Sequence, residues 1–212
     1  MEENLISKYV QLNILKETFN QEDFKKVRII MKTGADYTEG LKYAIASNRK
    51  DIFDFFLDNK IKLDYNGGIF LIQAIANNSV DIIKAILNKG VNLNSTEAHF
   101  KNPLKLALNI GNKEVIEALF KHKIPFLIED VANIKDFDLF KKVTEFASPL
   151  LDDSQKSSLL NLTIENKDTE KFKHLLEKGY VASKDSFEKA IDTKNDLIIN
   201  DLLEKGTDIS DA

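Results

Sequence analysis

Residues 74–90 read AIANNSVDIIKAILNKG and residues 190–206 read AIDTKNDLIINDLLEKG, the same apolar spacing with a glycine sixteen places after an alanine both times. Self-similarity over a few tens of residues restricts a chain to repeat architectures, in which each unit buries one face only against its neighbours and the array must stack. With Ala74 as position zero, apolar residues fall at −3 (Leu71), +1 (Ile75), +8 and +9 (Ile82, Ile83) and +12 and +13 (Ile86, Leu87), and Gly90 stands at +16. Further zero positions are Thr18, Ala44, Ala107, Val131, Thr163 and Ala190, with Leu15, Leu41, Leu104, Ile128, Leu160 and Phe187 at their −3 places. The unit around Val131 strays furthest, with Thr144 at +13 and Ala147 at +16; its register is chosen by matching Lys135-Asp136 to Lys167-Asp168.

Within a unit the spacing is that of two helix faces interrupted near +4, because the 3.6-residue phase does not carry through. Asn48, Asn78 and Gly111 occupy the break in the clearest units; these residue types tolerate the left-handed conformation that ends a helix. At +7, Asp51, Asp81, Glu114 and Glu170 put negative charge in the first turn of the second helix, where its dipole favours it. Glycine at +16 closes that helix. The Gly67-Gly68 doublet lacks any phosphate-loop context and is expected in a turn between units.

A leucine leading into a small central pair, an asparagine or glycine turn, an acidic-aliphatic-aliphatic helix start and a closing glycine resemble the ankyrin repeat family over roughly residues 12–206. NPLKLALNIGNKEVIEALFKHK (102–123) is the nearest unit. The resemblance implies an all-α ankyrin-like solenoid across 1–212, with seven units at about 8–37, 38–64, 65–94, 95–124, 125–148, 149–182 and 183–212 and mostly truncated hairpin loops. Proline precedes the −3 leucine only at Pro103 and no unit has the family's histidine. The hydrogen bonds that motif supplies between repeats must therefore come from elsewhere or be missing. Tetratricopeptide repeats are the rival, but their longer helices do not suit a break four residues past the central alanine.

Chemistry is scarce. There is no cysteine, and His99, His122 and His174 form no i, i+4 pair, so neither a thiolate nor a two-histidine metal motif is present. No cofactor and no catalytic residue is expected. Of the 30 basic and 34 acidic residues, 15 and 13 lie in residues 1–106, leaving 15 and 21 for 107–212. Without a basic stripe, nucleic acid is not an expected partner. No apolar run is long enough to span a bilayer and MEENLISKYVQ does not read as a secretory leader, so a monomer in the cytoplasm, its own cell's or a host's, is expected.

Function is then sought at positions the template leaves free. The resemblance implies partner contacts at hairpin tips and at +2 and +3 of the first helix, on the concave face. Here those are Tyr65, Asn66 and Gly68 with Ala76 and Asn77; Ala98, His99 and Lys101 with Asn109 and Ile110; and Ala46-Ser47. Tyr65 and Phe100 are aromatic residues in connections, where the template asks for none. Glu165, Asn166, Asp192 and Thr193 give the C-terminal units an acidic lining suited to a basic partner surface. These features point to a non-enzymatic protein-binding module, a stoichiometric inhibitor of immunity or effector type, with an adaptor as the alternative. A small-molecule enzyme built on the irregular stretch 124–160 is a further alternative with no motif behind it.

Overall fold

A left-handed residue placed four positions after the central residue is what folds all but one of the described units back on themselves. The computed structural model describes residues 37–58, 67–90 and 102–204, together with Glu17. Among these residues all regular structure is helical. They divide into two compact bodies, residues 1–118 and 119–212.

The N-terminal body holds the helix pairs α1 (Tyr37–Ala46) and α2 (Lys50–Asp58), α3 (Gly67–Ala76) and α4 (Val80–Asn88), and α5 (Pro103–Ile110) and α6 (Lys113–Lys121), the last crossing into the second body. Asn48, Asn78 and Gly111 have φ of 51°, 53° and 75°. In the first pair the Arg49 amide donates to the Ala44 carbonyl at 2.8 Å and the Asn48 amide to Ile45 at 3.1 Å. That is a Schellman closure, and Ser79 and Asn78 repeat it on Ala74 and Ile75. First helices pack on first helices, α1 on α3 and α3 on α5. Ala44, Ala74 and Ala107 are fully buried there, with Leu41, Leu71 and Leu104 at −3 buried beside them. Small residues at zero let the backbones approach, and Gly40 does the same for α2: a Cβ on it would lie 2.2 Å from the Phe56 ring.

Gly67 and Gly68 are not in a turn between units. Both lie in the first turn of α3, and Gly68 is buried. The following run IFLIQAIA buries Phe70, Leu71, Ile72, Ala74 and Ile75, and that burial outweighs the roughly 1 kcal/mol of helix propensity each glycine forfeits.

The C-terminal body comprises α7 (Ile128–Ala132), α8 (Phe137–Ala147), α9 (Asp153–Glu165), α10 (Thr169–Glu177), α11 (Lys184–Asp192) and α12 (Asp196–Glu204). Lys167 and Lys194 take the left-handed turn position here, at φ 58° and 53°, with the same pair of closing hydrogen bonds. The unit around Val131 keeps its burial pattern, since Val131, Phe140, Val143 and Thr144 are all buried. It loses its turn: Lys135 is not left-handed, and α7 stops after five residues. The match of Asp136 to Asp168 does hold, because both cap a second helix, accepting from the amides of Leu139 (2.7 Å) and Lys171 (3.1 Å). The long stretch after Ala147 is mostly not a loop. Ser148–Leu150 form a 3₁₀ turn, and a capping box between Asp152 and Gln155 starts α9 early, giving it 13 residues. No described helix is long and apolar enough to cross a membrane.

Candidate functional site

The +2 and +3 side chains of the first helices emerge where each helix ends, so their neighbours decide whether they cap the helix or face solvent. In α1 the Ser47 hydroxyl donates to the Tyr43 carbonyl at 2.7 Å, and in α3 the Asn77 amide donates to the Gln73 carbonyl at 2.8 Å. Both are exposed, and both are engaged in closing their own helices. Ala46 and Ala76 are exposed beside them. At the end of α5 the pattern changes. Asn109 is exposed and makes no hydrogen bond among the described residues, and Ile110 is 38% exposed although nothing in the template calls for an aliphatic there. Gly111 allows it: with a glycine supplying the left-handed turn, no +3 polar side chain is required to cap the helix.

In the C-terminal body the acidic lining is thinner than the sequence suggests. Glu165 is paired with Lys189 at 2.6 Å, and the Asn166 amide donates to Asn133 Oδ1 at 3.2 Å. Thr193 returns its hydroxyl to the Ala190 carbonyl at 3.1 Å. Asp192 is left exposed and without an ion pair among the described residues. Tyr65, Asn66, Ala98, His99, Phe100 and Lys101 lie outside the described residues. Gly68, expected at a hairpin tip, is a buried residue of α3 and leaves the candidate set.

The polar links between units, which the missing histidine motif left unassigned, run along the turn side. The buried Ser79 hydroxyl donates to the Ile45 carbonyl at 3.3 Å, and the Asn112 amide to Asn78 Oδ1 at 2.7 Å. In the C-terminal body the link is charged. Lys171, at a +8 position expected to be apolar, is buried, with Nζ 2.7 Å from Asp168 Oδ2, 3.2 Å from the Ala132 carbonyl and over the Phe140 ring. The ammonium thus completes the C-terminus of the truncated α7. His174 is buried edge-on against Phe137 and Phe140, with Nε2 3.4 Å from Thr144 Oγ1. Burial holds its pKa below the ordinary 6.5, with Lys178 adding to the effect. Tyr180 is buried with its hydroxyl 2.7 Å from Ser148 Oγ, and burial raises its pKa. Sequence could have flagged Lys171 only as an exception to the apolar template and gives no signal for His174 at +11 or Tyr180 at +17, since what fills the space beside them is tertiary.

Residues 41–130 match the family profile for ankyrin repeats, three copies. The chain is 25% identical over 122 residues, 58% of its length, to a protein described as an ankyrin repeat protein of Acanthamoeba polyphaga mimivirus. It is 28% identical over 89 residues, 42% of its length, to one so described from Fowlpox virus. It spans 32% of the first relative and 63% of the second.

Proposed function

We propose that this chain, whose residues 41–130 match the profile for ankyrin repeats, is a non-enzymatic protein-binding module whose recognition surface is the +2/+3 row of its first helices, centred on Asn109 and Ile110. One observation carries the reading: at the end of α5 Ile110 is exposed beside Asn109, whose exposed side chain makes no hydrogen bond among the described residues, whereas Ser47 and Asn77, at the +3 position that Ile110 holds, close their own helices. An apolar side chain beside an unpaired amide can supply both burial and a directed hydrogen bond to a partner. Tyr65, Asn66, His99, Phe100 and Lys101, which precede α3 and α5 in sequence and lie outside the described residues, are assigned to the same recognition surface on the sequence alone, with Asn77 in the row and Glu165 and Asp192 at the +2 positions of the second body. The chain acts as a stoichiometric inhibitor, occupying one protein surface.

The test is capture of the partner from native lysate by wild type and by an Asn109→Ala/Ile110→Asp variant. The partner should be lost from the variant while its thermal unfolding stays within about 1 kcal/mol of wild type. Titrating the captured partner's activity against the wild-type chain should then give full inhibition at one equivalent. Capture that survives the double substitution would remove Asn109 and Ile110 from the surface, and an active partner held together with a second protein would make the chain an adaptor.

A further inference from the structure

Within each body, units that are followed by another described unit bury their +1 and +9 side chains completely: Ile45 and Phe53, Ile75 and Ile83, Ile164 and Phe172 are at most 1% exposed. The neighbour that covers them is visible at the next junction, where Phe140 (+9) and Thr144 (+13) meet His174 of the following unit. In the last described helix pair the two faces separate. Ala190, Ile198 and Leu202, which pack inward and toward the preceding unit, are fully buried, but Ile191 (+1) is 51% and Leu203 (+13) 52% exposed, with Ile199 (+9) half-buried. The stacking interface that joins the earlier units therefore continues onto α11 and α12 and has no cover among the described residues. Three carboxylates border it: Asp192 follows Ile191, Glu204 follows Leu203 and Asp196 opens α12, none in an ion pair among the described residues, with Lys194 in the turn between the helices and Lys189, paired with Glu165, within electrostatic reach of Asp192.

We propose that the outer face of α11 and α12 docks a helical partner protein that carries an aliphatic row bordered by lysine or arginine, seated where a further helix pair would stack. The aliphatic row follows from the +1 and +9 side chains that are buried at the junctions within each body, Ile45 and Phe53, Ile75 and Ile83, Ile164 and Phe172. The basic border follows from Asp192, Asp196 and Glu204, which would repel a second copy of the same face and steer a cationic one. Asp192 also belongs to the +2/+3 row of the proposed function, and the substitutions that test this surface, at Ile191, Leu203, Asp196 and Glu204, leave that row unchanged.

A fluorescein-labelled amphipathic peptide of about 18 residues, five helical turns of leucine on one face and lysine on the other, is the probe. Wild type should bind it, more weakly as salt rises from about 50 to 500 mM. Ile191→Ser/Leu203→Ser should weaken binding about tenfold or more, and Asp196→Asn/Glu204→Gln should flatten the salt dependence. Leu127→Ser, at another exposed leucine (58%), should change nothing. Absence of binding by wild type, equal binding of a leucine/glutamate peptide, or full affinity in the Ile191→Ser/Leu203→Ser variant would overturn the proposal. So would a wild-type dimer in light scattering that those two serines dissolve, because the occupant would then be a second copy. Circular dichroism melts keep loss of binding distinct from loss of fold.

Discussion

The two bodies solve one packing problem with different materials. In the N-terminal body the rows between units are hydrocarbon, Leu41, Leu71 and Leu104 with Ile52, Phe53, Ile82 and Ile83, and the buried polar link is neutral, Ser79 to the Ile45 carbonyl, while Asn112 to Asn78 and the Lys84–Glu114 ion pair lie at the exposed edge. The C-terminal body places Thr144, Lys171 and His174 at the corresponding depth. The difference begins at α7. A helix cut to five residues leaves a carbonyl end facing the next unit, and a buried carbonyl without a donor costs about 1–3 kcal/mol. Lys171 answers it, and its charge is in turn balanced by Asp168 and the Phe140 ring. A repeat can thus lose a helical turn and still stack, provided the next repeat carries a donor long enough to reach across.

The comparison breaks most severely where only apolar packing is at work. Phe53→Ala should cost about 3–5 kcal/mol, read as faster hydrogen exchange through α1–α4, because no polar group stands by to refill the cavity. Lys171→Met should cost less, about 1–3 kcal/mol, since it leaves the Ala132 carbonyl unpaired but lets the partly exposed Asp168 turn to water. Lys171→Arg should recover part of that loss and Lys171→Met none. If methionine proved as stable as lysine in urea unfolding, the charged link would be a passenger, and the two bodies would be equivalent.

A smaller effect separates the bodies by pH. His174 is faced by Lys178 and Glu177 of its own helix and by Lys141 and Glu145 of α8, and its folded pKa is depressed, chiefly by burial. Below about 6.5 the unfolded chain takes up a proton that the folded one resists, so stability should fall from about pH 6.5 downward until the folded pKa is reached, and this group should leave stability unchanged above about pH 6.5. His174→Gln should flatten the decline between pH 6.5 and 5. Carboxylate titration is common to both proteins and cancels in the difference.

Where repeats obey the template the architecture could be read directly: the zero, −3, +8 and +12 positions of the three N-terminal pairs are buried as the spacing requires. The polar exceptions could not. Lys171 looks like a template error in one dimension, because what makes it acceptable, the Ala132 carbonyl, is a helix end placed by tertiary packing, whereas Thr144 returns its hydroxyl to the Phe140 and Lys141 carbonyls of its own helix. Gly67 and Gly68 misled for a related reason, since local propensity favours a turn and only the burial of Phe70 and Leu71 makes a helix the better outcome. Of the candidate surface, exposure at +2 and +3 was legible. The capping bonds that occupy Ser47 and Asn77 and the ion pair that occupies Glu165 were not, because each depends on side-chain reach.

The smallest effect lies in the turns. The N-terminal body uses Asn48, Asn78 and Gly111 for its left-handed residue, whereas the C-terminal body uses Lys167 and Lys194. A lysine there carries a Cβ clash of about 1 kcal/mol or more that glycine does not, partly offset by glycine's greater freedom in the unfolded chain. Gly111→Ala should therefore destabilise by about 1 kcal/mol and Lys194→Gly should stabilise by about 0.5 kcal/mol, both measured by urea unfolding. The opposite signs are the informative part. Substitutions at equivalent positions of two homologous turns would move stability in opposite directions only if both turns are left-handed and only the second is strained. A Lys194→Gly variant less stable than wild type would mean that the lysine stem contributes packing over the α11–α12 turn that exceeds the strain it causes.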